Sequence, residues 1–231
     1  MSNEPSGLLE KHIEKMNIEY PIAKTKGEDA DRIYGVKGFP SSYLVGPDGR
    51  VIWEGHPGSL SESDIESALE STAFVAPIPD GDKKLNKLIA AQDFGAALKA
   101  IDKGLAANGD DAGLKAARDA VQGLLERKLE AANKAAQEGD FGNAMAIYEE
   151  LQVLFKGDQA AKDAKTSAKE LSKNPDAKEE LAAWKKMAKG DKACFEGDFE
   201  KAGKIYAGVA KKHEGTKSAQ RAQEFLTRHR M

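Results

Sequence analysis

One motif recurs three times in the later part of the chain, and it constrains the fold more than any other feature. The segments AAQDFGAALKAIDKGL, AAQEGDFGNAMAIYEEL and KACFEGDFEKAGKIYAGV are anchored at Asp93, Asp140 and Asp198, spaced 47 and 58 residues apart. Each reads as a helix that stops just before the aspartate. A second helix then starts with that aspartate as its N-cap and turns Phe, Ala and Ile or Tyr to its inner face. The intervals are too long and too uneven for a strict repeat of about 34 residues.

Two further stripes lie between the motifs. DAGLKAARDAVQGLLERKLEAANKAAQE places Leu114, Ala117, Val121, Leu124, Leu125, Leu129 and Ala132 on one side of a helix of about seven turns. NPDAKEELAAWKKMAKGDKACFEG opens with Asn174 and Pro175 and predicts Leu181, Trp184, Ala188 and Phe195 in phase. Six to eight antiparallel helices stacked as a short solenoid are expected, each hairpin leaving an apolar face that only its neighbours cover. Small alanines at the contacts and an aromatic filling the gap make these hairpins resemble tetratricopeptide-like repeats.

Ahead of residue 75 the composition is different. Tyr20, Tyr34, Phe39, Tyr43 and Trp53 concentrate there among Gly and Pro. SGLLEKHIEKMN predicts a helix with Ser6 as N-cap and Leu9, Ile13 and Met16 on one face. EYPIAK reads as a short extended piece, and EDADRIYGV as a short helix that Gly35 ends. SSYLVG and RVIWEG read as two strands joined by PDG, with Gly49 at positive φ. SESDIESALES predicts a helix with Ser61 as N-cap, Asp64 at its third position and an apolar face of Ile65, Ala68 and Leu69. APIPDGD breaks any helix through it. Expected domains are therefore residues 1–76 and 82–231, with 77–81 as linker.

The run Y-G-V-x-G-x-P-S-S-Y-L-V-x-x-D-G-R-V, from Tyr34 onward, resembles the C-terminal half of thioredoxin-fold proteins, in particular TlpA-type thiol-disulfide oxidoreductases. The resemblance spans roughly residues 6–72. It implies that Pro40 is a cis-proline opening a core strand, and that Phe39 and Pro40 contact a substrate peptide. Ser41 and Ser42 stand where the family usually carries two threonines. The family's W-C-x-x-C segment has no counterpart ahead of Ser6, and the chain's single cysteine is Cys194. Thiol-disulfide exchange needs a nucleophilic thiolate and a resolving thiol within reach, so no catalytic residue is assigned and this chain alone is expected to be inactive.

The expected fold class is thus α/β plus all-α: an incomplete thioredoxin-like module followed by a tetratricopeptide-like helical domain. The resemblance also implies that strand 41–45 lacks its family neighbour, leaving an edge that invites another strand. Self-pairing into a homodimer, complementation by a separate N-terminal segment and a half-domain held by the helical part are the three outcomes, and a truncated or mis-started frame would give the same sequence. Partners are expected to be a protein or peptide.

A formal net charge of -3, from 35 basic and 38 acidic residues, gives no general attraction to nucleic acid or an anionic membrane. No apolar run approaches the roughly 20 residues a membrane helix needs, and the start MSNEPSGLLEKHIEKM has no signal-peptide pattern. As written the product is expected in the cytoplasm, whereas the family resemblance implies export if the true start lies upstream. His12, His56, His213 and His229 have no second ligand at helical spacing, and no metal or cofactor is expected. His56 is read as a surface turn residue, Cys194 as a small packed hydrophobe, and the basic bias after Lys201 as a solvated face. Two functions follow: a thioredoxin-like protein of redox lineage without its dithiol, or a non-catalytic scaffold that binds partners through its helices.

Overall fold

A computed structural model describes residues 5–23, 34–46, 51–71, 75–78 and 82–229. The protein is mostly helical, with one small antiparallel sheet of two strands among the described residues. In chain order the elements are α1 (Ser6–Met16), β1 (Ser42–Val45), β2 (Val51–Gly55), a 3-10 turn (Pro57–Ser59) and α2 (Glu62–Ser71). There follow α3 (Lys83–Ala90), α4 (Phe94–Ala107), α5 (Ala112–Gln137), α6 (Phe141–Leu154) and α7 (Gln159–Leu171). A second 3-10 turn (Pro175–Ala177) leads into α8 (Lys178–Phe195), α9 (Phe199–Lys212) and α10 (Lys217–His229). The expected helix containing Ala30 and Ile33, the PDG turn with Gly49 and linker residues 79–81 lie outside the described residues.

The three aspartate motifs make three hairpins with the same turn. The residue before each aspartate has positive φ: Gln92 at 56°, Gly139 at 75° and Gly197 at 80°. Asp93, Asp140 and Asp198 each send their backbone N–H back to the preceding helix, to the carbonyls of Leu88, Ala135 and Ala193, at 2.8 to 3.0 Å. Each carboxylate then accepts the N–H three residues on, from Ala96, Asn143 and Lys201. Turn and cap together satisfy backbone groups that helix ends leave orphaned. The helices launched this way, α4, α6 and α9, each run 14 residues.

Four residues past each aspartate stands a fully buried alanine, Ala97, Ala144 or Ala202, and eight past it a buried Ile101, Tyr148 or Tyr206. These positions share one helical face. The main core joins α3 to α7 around Phe94, Ile101, Val121, Leu124, Leu151 and Phe155, with the Phe94 and Phe155 rings 5.8 Å apart. A second core joins α8, α9 and α10 around Ala183, Ala193, Tyr206 and Val209. Met145, Ala177 and Leu181, with Trp184 packed beside them, bridge the two. Helices approach closely where glycine replaces a side chain: a Cβ on Gly190 would lie 2.5 Å from the Tyr206 ring, and one on Gly142 would lie 2.8 Å from Trp184.

Three expectations are corrected in detail. Ser6 is the first residue of α1 rather than its cap; Pro5 occupies the cap position with no side-chain bond, its fixed φ of -55° leading into the helix. Residues 19–23 join no strand pairing. On α8 the predicted stripe is covered only in its first half. Leu181 and Trp184 meet α6 and α7, but Ala188 is exposed and Phe195 is 94% exposed. Past Trp184 the helix turns Met187, Gly190, Ala193 and Cys194 toward the second core with α9 instead, because that is where its neighbour lies.

Val75 and Ile78 flank the boundary expected at residue 76, and both pack into the main helical core. Asn86 holds the segment in place: its Oδ1 accepts the Ile78 N–H and its Nδ2 donates to the Ile78 carbonyl, both at 2.9 Å. No described helix is long and apolar enough to cross a membrane.

Candidate functional site

The β1–β2 hairpin and the corner that leads into it carry the residues singled out for peptide contact. Antiparallel pairing sets Ser42 against Gly55, Tyr43 against Glu54 and Leu44 against Trp53, and a register shift then places Val45 opposite Val51. One extra residue on β2 accompanies the shift, as in a β-bulge. The Phe39–Pro40 peptide bond is cis. Ser41 Oγ donates to the Gly38 carbonyl at 2.5 Å and so closes the corner. Phe39 itself is 77% exposed.

A brace beneath the corner was not foreseen from the sequence. Tyr43 Oη donates to the Tyr34 carbonyl at 3.0 Å, and the two rings meet at 5.2 Å between centroids, tilted 50°. Two tyrosines nine residues apart with F-P between them are the signal that was available. SSYLVG reads only as a strand, so the pairing of Tyr43 with Tyr34 needed the fold.

After β2, His56 Nδ1 accepts the Gly58 N–H at 3.1 Å and Ser59 Oγ donates to the His56 carbonyl at 2.8 Å. His56 thereby caps a turn at the surface. Ser61 and Asp64 form a reciprocal capping box at the start of α2: Asp64 N–H donates to Ser61 Oγ, and Ser61 N–H donates to Asp64 Oδ2. The hydrogen bonds from Ser61 hold the Asp64 carboxyl below its ordinary range.

Cys194 lies far from this corner in sequence and sits half-buried in the second helical core. Burial pushes its thiol up, the Tyr206 hydroxyl at 3.6 Å pulls the other way, and the Asp191 carboxylate raises it again. Tyr206 donates to Asp191 Oδ1 at 2.8 Å, and its own phenol is pushed far up, first by burial and then by Cys194 and Asp191. A thiol so placed is a poor nucleophile, because the thiolate is the reactive form. No group of three or more His, Cys, Asp or Glu suited to a metal ion occurs among the described residues.

Two polar links tie α10 to the rest of the helical stack. The buried Glu180 carboxylate on α8 accepts the Ser218 N–H with both oxygens at 3.2 Å and the Ser218 hydroxyl at 2.7 Å, placing negative charge at the start of α10. Arg221 of α10 donates from two nitrogens to both oxygens of Asp140, the same carboxylate that caps α6. His213 is the third polar element here, with Lys186 Nζ 2.8 Å from its Nε2 and Glu179 3.7 Å from its Nδ1.

Comparison with known proteins relates part of the chain to disulfide chemistry. The thiol-disulfide oxidoreductase ResA of Halalkalibacterium halodurans is 25% identical over 69 residues, which is 30% of this chain and 39% of ResA. The chain therefore spans less than half the length of that relative. No protein-family model matches the chain, and no solved structure matches it. The similarity supports a distant redox relationship for part of this chain.

Proposed function

We propose that this chain is a thioredoxin-like, TlpA-type protein of redox lineage that binds an extended peptide of a protein partner without exchanging disulfides itself. Phe39 and Pro40 contact the peptide and the β1 edge at 41–45 receives its backbone, as β-strand addition does elsewhere. The observation that carries this reading is the similarity to a thiol-disulfide oxidoreductase together with a Phe39 ring held out in solvent on a braced corner. Its non-catalytic half rests on cysteine chemistry: the single cysteine is half-buried in the helical region with its thiol pKa raised. Disulfide exchange through a mixed disulfide needs a second thiol to resolve it.

The test is reduction of a protein disulfide by the full chain in the presence of dithiothreitol. A rate equal to the thiol alone, unchanged in Cys194→Ser, is expected. Turnover above that background which disappears in Cys194→Ser overturns the non-catalytic half of the reading. Peptide contact is tested separately: Phe39→Ala should weaken capture of unfolded, extended polypeptide while leaving the melting temperature unchanged.

A second reading has its own observation in favour. Three hairpins share one turn and one cap, which gives a regular stack of the kind that presents a binding surface. In that reading the helical region is the scaffold and the hairpin corner an accessory.

A further inference from the structure

Charge is divided unevenly along the chain. Residues 1–76 hold 7 Lys and Arg against 13 Asp and Glu, whereas residues 82–231 hold 28 against 24. On α8 the basic excess becomes a stripe: Lys185, Lys189 and Lys192 recur at i, i+4 and i+7, all exposed. Lys192 meets Glu196 at 3.8 Å, an exposed surface pair of small energetic weight. Among the described residues no carboxylate pairs with Lys185 or Lys189. Ala188 and Phe195 run along the same side. They continue the stripe that Leu181 and Trp184 begin against α6 and α7, so this face is covered in its first half and bare in its second.

A matching surface occurs in the same chain. On α2, Glu62 and Glu66 are exposed and Ile65 lies beside them within the same turn, itself 41% exposed. Acidic groups one turn apart with an apolar side chain beside them complement lysines one turn apart beside an apolar side chain. We propose that a second copy of this chain docks its α2 on the outer face of α8, with Glu62 and Glu66 against Lys185, Lys189 and Lys192 and Ile65 beside Phe195. The contact is reciprocal, so one twofold dimer closes with two copies of it. Pairing through the β1 edge would instead bring two acidic regions together. The proposal is independent of the peptide reading, since neither uses the other's residues.

Sedimentation of the full chain tests it. A dimer at about 50 mM salt that dissociates toward monomer at about 500 mM is expected, because exposed charge contacts are screened over that range. Lys185→Glu/Lys189→Glu/Lys192→Glu should be monomeric with an unchanged circular dichroism spectrum, and so should Glu62→Lys/Glu66→Lys. Mixing the two variants should restore the dimer, since each then carries the complement of the other. Phe195→Ala should weaken the wild-type dimer by about tenfold or more. A wild-type chain that stays monomeric at about 50 mM salt, a dimer indifferent to the triple reversal, or a mixture of folded variants that stays monomeric would each overturn the proposal.

Discussion

Residues 5–71 and residues 75–229 treat apolar side chains in opposite ways. In the first region Leu8, Met16, Tyr20, Phe39, Val45, Val51 and Ile52 are exposed, α1 buries no residue, and Ala68 is the one buried hydrophobic among the described residues. In the second, Phe94, Ile101, Val121, Leu124, Leu151, Phe155 and Tyr206 are essentially sealed from water, with Val153 and Phe195 the large exposed exceptions. Helix contacts explain the difference. Each helix from α3 to α10 finds one or more neighbours for its apolar face, whereas the two strands and two helices among the described residues of the first region bury little surface between them. What the contrast teaches is where the apolar surface goes: the helical stack buries it in shared cores, and the described part of the first region leaves much of it exposed.

The largest effect should come from the centre of the stack. Phe94→Ala removes a fully buried ring packed on Phe155 and should cost about 3–5 kcal/mol in urea denaturation. The matched change Phe39→Ala in the first region should move the same transition by less than about 0.5 kcal/mol. Equal losses at the two sites would break the comparison. Next comes Gly190→Ala, whose added methyl meets the Tyr206 ring, with an expected loss of about 1–3 kcal/mol.

Asp140→Ala removes the α6 cap and the partner of Arg221 together. A loss of about 1–2 kcal/mol is expected, from a cap of about 1 kcal/mol and a partly exposed ion pair of less than that. A double-mutant cycle with Arg221→Ala separates the two contributions, and no coupling between the residues would show that the ion pair contributes nothing. The smallest effect is chemical. Because burial raises the Cys194 thiol, less thiolate is present at pH 8.5 than in an unfolded peptide, and iodoacetamide should label the native chain more slowly than the urea-unfolded chain. Labelling at the unfolded rate would mean that α8 and α9 separate readily and that the second core is as open as the first region.

Hydrogen exchange sharpens the contrast without any substitution. Amides of α4, α6 and α9 should exchange only through large-scale opening, and those of α1 and β1 through local fluctuation, since protection follows burial and packing.

Much of the helical region was legible in residues alone. Asp93, Asp140 and Asp198 act on N–H groups three positions away, so their role depends on local geometry that the D-F spacing carries with it. The same holds for Ser61 with Asp64, and for the seven-turn stripe of α5, whose Ala117, Val121, Leu124 and Ala132 are all buried. β1 and β2 read as two strands on either side of the turn residues PDG. The peptide-contact assignment of Phe39 and Pro40 came from family resemblance; the residues themselves said only that a proline opens a strand.

What depended on tertiary packing has larger sequence separations. The Glu180–Ser218 cap spans 38 residues and the Arg221–Asp140 pair 81, and neither has a local signature. Val75 just before the linker expected at 77–81, and Ile78 within it, both pack against the helical core, a contact that no local pattern specifies. Phe195 is the reverse case: its phase along α8 predicted burial, but periodicity states only which side chains share a face. Whether that face is covered depends on where α6 and α7 end, and the chain decides this only when the whole stack assembles.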